Sequence, residues 1–116
     1  MNEDKLSALK QVNLTIIQLH DALNDPDLTL QERKLIEEAI NDQSDIRDTL
    51  IENSLQAMVD KINSANKDLQ TLIDKMEKTS EKLGRLAATI KKVADVLGLL
   101  AQATTKAISA GVLGGA

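Results

Sequence analysis

The chain has 116 residues, with 14 Lys plus Arg, 18 Asp plus Glu, one His, no Cys and no Phe, Trp or Tyr. An apolar fraction of 42% is enough to bury one core, which argues against wholesale disorder. The absence of Cys excludes disulfides, thiolate nucleophiles and thiolate metal sites. We therefore expect one all-α unit over residues 1–116 that buries aliphatic side chains and needs no cofactor or metal.

The net charge of −4 divides unevenly along the chain. Residues 1–53 contain five basic and twelve acidic side chains, whereas residues 54–116 contain nine basic and six acidic ones. This asymmetry indicates head-to-tail contact between subunits or an anionic partner for the basic part. Sparse basic residues in an acidic chain without aromatic side chains argue against nucleic acid as that partner.

The first residues are polar and acidic and do not lead into the apolar core of a secretory signal. The sequence therefore predicts a cytoplasmic protein without a Sec signal peptide. Secretion by a route that needs no cleaved signal stays open.

A first helix is predicted over residues 5–24, followed by a turn at 25–28 around Pro26. The helix has an apolar stripe at spacings of three and four residues: Leu9, Val12, Ile16, Leu19 and Leu23. Leu6, Leu14 and Ile17 lie beside this stripe and are expected to broaden the buried face. Thr29 and Glu32 then fit a capping box, which predicts a new helix from residue 30.

A long helical segment is predicted over residues 30–110, with possible breaks near 41–45 and 78–80. Residues 41–45 are all polar. The apolar stripe of this part of the helix, set by Ile36, Ala39, Ile46 and Leu50, also includes the position of Gln43. Leu50 and Leu55 are five residues apart, a spacing that favours a change of buried face or a local break near Ile51.

From Leu55 onward the apolar residues follow one heptad register, which is typical of a coiled-coil seam. The predicted seam interface contains twelve residues: Leu55, Met58, Ile62, Leu69, Leu72, Met76, Leu83, Leu86, Ile90, Val93, Leu97 and Leu100. Two arrangements fit this pattern. In one, a continuous coiled-coil helix covers its seam by self-association. In the other, the helix folds back near residues 78–80 as a hairpin or bundle, with Ser80 capping the returning helix.

Residues 84–113 form a basic amphipathic segment, and residues 111–116 form a Gly-rich end that favours helix termination. Lys91, Lys92 and Lys106 lie on or near its polar face and could contact an anionic membrane or another partner. Polar residues such as Gln102 and Ser109 dilute the segment too much for a bilayer span.

Few residue types are available for catalysis. One His, no Cys and no Tyr leave only carboxylates, Lys, Ser and Thr as acids, bases or nucleophiles, and no glycine-rich phosphate loop or calcium-loop spacing occurs. The sequence therefore predicts a non-enzymatic helical interaction or assembly protein that acts through coiled-coil self-association or a helical partner. The alternative is a membrane-active protein, similar to a toxin or pore component, that uses residues 84–113.

Overall fold

The computed structural model describes residues 2–52 and 54–111. Within those ranges it contains helices and no strand, which confirms the all-α prediction. The four helices are α1 (Asn2–Ala22), α2 (Leu30–Leu50), α3 (Leu55–Thr79) and α4 (Glu81–Ser109). Most of the predicted Gly-rich end, residues 112–116, lies outside the described residues.

The first helix is displaced by two or three residues from its predicted bounds, since it covers Asn2–Ala22 instead of 5–24. A turn around Pro26 follows, in which an Asp25 carboxylate oxygen accepts the Asp27 N–H at 2.9 Å. The predicted capping box then starts α2. The Thr29 hydroxyl accepts the Glu32 N–H at 3.1 Å, and the Glu32 carboxylate accepts the Thr29 N–H at 3.0 Å.

The possible break near residues 41–45 is absent, because α2 continues through this polar segment to Leu50. Ala39, Gln43, Ile46 and Leu50 are buried and follow helical spacing, so the core-facing side of the helix remains in register. Asn41 and Asp45 are exposed. The polar run therefore marks mainly the outer side of α2.

The helix does break at two other points, so no single helix runs from 30 to 110. The first is the 51–54 connection, where the register shift between Leu50 and Leu55 required a change of buried face. The Ser54 hydroxyl accepts the Ala57 N–H at 3.3 Å and caps α3. The second is Ser80, inside the predicted 78–80 segment. Its backbone is extended, and its hydroxyl accepts the Leu83 N–H at 3.2 Å to cap α4.

The helices pack as a bundle in ring order: α1 on α2, α2 on α3, α3 on α4, and α4 back on α1. Two side-chain contacts join α3 and α4. Glu77 pairs with Lys91 near the connecting Ser80, while Asn66 reaches the carbonyl of Ala94 further away. The resulting molecule measures 52 × 21 × 16 Å along its principal axes.

The core lies along the bundle axis and consists of aliphatic and Met side chains from all four helices. Its largest fully buried members are Leu19, Ile36, Leu50, Met58, Ile62, Leu69, Leu72, Ile73, Met76, Leu83, Ile90 and Leu97. Only straight or branched aliphatic chains are available to this sequence, and they fill the space between packed helices well.

Candidate functional site

The predicted seam residues are placed together, but inside the bundle. Ten of the twelve are buried within a single chain: Met58, Ile62, Leu69, Leu72, Met76, Leu83, Ile90, Val93, Leu97 and Leu100. Leu55 and Leu86 are half-buried and pack against the same core. In this conformation the chain itself covers most of the seam.

The two turns at one end of the bundle are joined by polar side chains. Lys82, after the α3–α4 turn, forms an ion pair with Asp25 of the α1–α2 turn. The Ser80 hydroxyl donates to Glu32 at 2.9 Å. The hydrogen bond from Lys82 lowers the pKa of Asp25, and the backbone N–H of Thr29 together with Ser80 lowers the pKa of Glu32. We call these four side chains the end clasp. Their hydrogen bonds connect the α1–α2 turn and the start of α2 to the α3–α4 turn and the start of α4.

Two side-chain amides, one on α2 and one on α3, have buried polar atoms without a hydrogen-bond partner among the described residues. Gln43 is completely buried, and neither its amide nitrogen nor its amide oxygen has a hydrogen-bond partner among the described residues. Asn66, on the neighbouring helix α3, donates to the Ala94 carbonyl at 3.2 Å, whereas its own side-chain oxygen has no partner there. Sequence periodicity had placed Gln43 in a seam, and the structure adds that its amide is unpaired.

Acidic side chains from α2 and α3 lie close together at the surface of the bundle. Asp42, Asp45 and Asp68 line one small depression on the surface. Partial burial raises the pKa of Asp42, and the neighbouring carboxylates of Glu38, Asp68 and Asp45 raise it further. Across the described part of the chain, no group of His, Asp and Glu side chains is arranged to hold a metal ion. This cluster is therefore a surface of repelling carboxylates on the outside of the bundle.

The predicted basic contact residues Lys91, Lys92 and Lys106 are all exposed on α4. Lys91 is paired with Glu77 of α3 at 3.4 Å. Lys92 and Lys106 share one outer column with Arg85 and the 67% exposed Leu99, because these four residues are spaced by seven. We call this set the α4 column. The apolar side of the same helix, including Ile90 and Leu97, lies in the core.

A shallow groove of about 720 Å³ runs beside the α4 column, where Gly98 leaves the helix surface open. It is lined mainly by polar and small side chains, among them Asn63, Gln102, Thr105 and Lys106. No buried charged side chain points into it from these positions, since Lys106 is exposed. The groove lacks the convergent buried polar groups that are typical of a small-molecule site.

Helix α1 carries three of the six strongly exposed large apolar side chains among the described residues. Leu6, Leu14 and Ile17 are 65%, 50% and 57% exposed, respectively. They were expected to broaden the buried face, and this expectation is wrong: the fully buried side chains of α1 are Ala8, Val12, Thr15 and Leu19 on the opposite side, and Leu9 and Ile16 also pack against the core. Lys10 and Asp21, both exposed, lie on the same side as the three apolar residues. We call these five residues the α1 stripe.

Sequence reasoning missed the α1 stripe as a candidate site because apolar residues surround much of α1. A signal was present, however. A helix that packs in a bundle needs only one apolar side. Leu6, Leu14 and Ile17 lie outside the regular three- and four-residue spacing that includes Val12 and Leu19, so the core does not require them.

Among the described residues, no helix has a stretch long and apolar enough to cross a bilayer. Comparisons with protein-family models, curated proteins and solved structures give no significant match to this chain.

Proposed function

We propose that this chain is a non-enzymatic helical interaction protein that binds a protein partner through the α1 stripe. The observation that carries this proposal is the exposure of Leu6, Leu14 and Ile17 on one outward side of one helix. Clustered apolar side chains on a protein surface commonly mark an interaction site, because water contact with them is unfavourable. By contrast α3, which is described along its whole length, has no strongly exposed large apolar residue.

The role proposed for the coiled-coil seam is internal. We propose that α3 and α4 form an antiparallel coiled-coil hairpin whose heptad residues face one another and hold the bundle together. The burial of Met58, Leu69 and Leu97 in one chain supports this proposal, as do the Glu77–Lys91 ion pair and the Asn66–Ala94 hydrogen bond. Association with other molecules then depends on outward-facing side chains.

A photo-crosslinking experiment tests the interaction function. A photoreactive amino acid is placed at Leu14 of the full chain and, as a control, at the exposed Lys75 of α3. We expect protein adducts from position 14 and not from position 75, and we expect Leu6→Ser with Ile17→Ser to abolish them. Equal yields at both positions, or no adduct at position 14, would overturn the proposal.

A second candidate function is binding to an anionic lipid surface through the α4 column. Arg85, Lys92 and Lys106 place three positive charges on one side of α4, with the exposed Leu99 between the two lysines. Basic residues near an anionic bilayer each contribute about 1 kcal/mol at moderate ionic strength, and one inserted Leu adds apolar burial. This candidate requires no exposure of the buried residues of α4.

Liposome co-sedimentation tests the second candidate. The full chain is expected to bind vesicles that contain phosphatidylserine at low salt, and Lys92→Glu with Lys106→Glu should abolish binding. The matched control reverses two exposed lysines of α3, Lys75→Glu with Lys78→Glu, and should leave binding largely unchanged. Absence of binding at low salt, or equal loss in both variants, would contradict the candidate.

A further inference from the structure

The α1 stripe has an order of side chains that specifies its partner more closely. Successive residues of an α-helix are rotated by about 100°, so Leu6, Lys10, Leu14, Ile17 and Asp21 fall within an arc of about 80°. In chain order these five side chains are therefore apolar, positive, apolar, apolar and negative, and the exposed Glu3 near the amino end of α1 falls in the same arc. One positive and one negative charge enclose the Leu14–Ile17 pair.

We propose that the occupant of the α1 stripe is a second copy of this chain, with the two α1 helices paired antiparallel about a two-fold axis between Leu14 and Ile17. This inference rests on the proposed function of the stripe. An interface about a two-fold axis must be self-complementary, since the same patch meets itself in reverse order. The stripe meets that condition.

The reversed order brings unlike charges together. With Leu14 opposite Ile17 of the second copy, Lys10 lies opposite Asp21, and symmetry repeats both contacts. Each charge is about 8 Å along the helix from the two-fold axis, because 5.5 residues separate it from the centre. A parallel pairing would instead put Lys10 against Lys10 and Asp21 against Asp21, which is repulsive.

The charge on this side of α1 also argues against a strongly acidic partner. Lys10 and Asp21 cancel, and Glu3 in the same arc adds one negative charge, so an acidic partner gains no net attraction. Neither charge is already used within the chain, since Lys10 and Asp21 are exposed and form no ion pair in the described structure. Both remain available for a second copy.

The size of the stripe sets the expected strength of association. Three apolar side chains on each copy, with Leu6 extending the contact beyond the charged pair, make a small interface. Interfaces at the small end of the range are typically weak and transient. We therefore expect a dimer whose population depends on protein concentration in the micromolar range.

Sedimentation equilibrium of the full chain, from about 1 μM to about 1 mM, tests the inference. We expect a monomer–dimer equilibrium whose dissociation constant rises about tenfold or more in Leu14→Ser, because a central apolar contact is lost twice. Leu99→Ser, which removes another strongly exposed leucine side chain, this one from α4, is the matched control and should leave dimerisation unchanged.

Charge reversal tests the antiparallel register. Lys10→Glu or Asp21→Lys alone should weaken the dimer about tenfold, since like charges then face each other at both symmetry-related positions. The double variant Lys10→Glu with Asp21→Lys should restore it. Circular dichroism and thermal melting of each variant check that the bundle itself is intact.

The possible outcomes separate this inference from the proposed function. A wild-type chain that stays monomeric over the whole range overturns the second copy as occupant, and so does a dimer that Leu14→Ser does not weaken. If position 14 nevertheless forms adducts with a different protein, the interaction function stands. If Leu14→Ser weakens the dimer but the single charge reversals do not, or if the double charge reversal fails to restore what each single reversal weakened, the proposed antiparallel pairing is overturned.

Discussion

Gln43 places an amide in the core of the bundle without a hydrogen-bond partner for either of its polar atoms among the described residues. A buried polar group that has lost water and gained no partner typically costs about 1–3 kcal/mol. In helical seams, a single polar residue can nevertheless favour one register over others, because every other register would bury it less favourably. On this reasoning Gln43 lowers the free energy of unfolding and favours one register of helix packing.

Replacing this amide with an apolar side chain should stabilise the fold. We expect Gln43→Leu to raise the free energy of unfolding by about 1–2 kcal/mol, because the desolvation cost is removed and the apolar contacts are kept. Urea denaturation monitored by circular dichroism measures this change. Gln31→Leu, on the exposed side of the same helix, is the matched control and should change stability by less than about 0.5 kcal/mol. A loss of stability in Gln43→Leu would show that the amide is paired in solution.

At the scale of single residues, local patterns carried much of the sequence prediction. The capping box of Thr29 and Glu32 involves residues only three apart, and the structure contains both of its hydrogen bonds. The unpaired state of Gln43 and the pairing of Glu32 with Ser80 could not be predicted, since each depends on how distant helices are placed. Periodicity states which side of a helix is buried and does not identify the groups across from it.

At the scale of elements, one residue separates α3 from α4. Ser80 is extended, ends α3 and caps α4, while its side chain also donates to Glu32. The sequence alone does not decide between a continuous helix and a fold-back here, because residues 78–82 contain neither Gly nor Pro. A serine can serve here because a helix N-cap favours an extended backbone and a hydroxyl acceptor.

The pairing of α3 with α4 predicts a short distance between two labels that are far apart in sequence. The chain has no Cys, so Gln56→Cys with Thr105→Cys, both at exposed positions, gives a uniquely labelled protein. Spin labels at these sites should lie within about 30 Å of each other, since packed helix axes are about 8–10 Å apart and each label adds its linker. A single straight helix would separate them by about 70 Å.

Dilution with unlabelled chain provides the control for this measurement. The short distance should persist with unchanged amplitude when the labelled protein is mixed with an excess of unlabelled protein. If the short distance disappears on dilution, the seam is shared between chains, and the internal coiled-coil hairpin is contradicted.

At the scale of the whole molecule, the hydrophobic pattern predicted the all-α class but did not specify which molecule covers the seam. Heptad spacing is the same whether Leu69 and Met76 face another copy or another helix of one chain. The structure buries both within one chain and leaves Leu6, Leu14 and Ile17 outside. Which apolar residues are buried and which are exposed could not be predicted, because it depends on how much of α1 the other helices of the bundle cover.

The ring order of the helices has a kinetic consequence. The α1–α2, α2–α3 and α3–α4 contacts each close over a short connection, whereas the α4–α1 contact joins the two ends of the chain. Bringing together segments that are distant in sequence costs more chain entropy and slows folding. We therefore expect the α4–α1 contact to form last, after the neighbouring helices have paired. By the same reasoning, we expect the bundle to open first at the contact between α4 and α1.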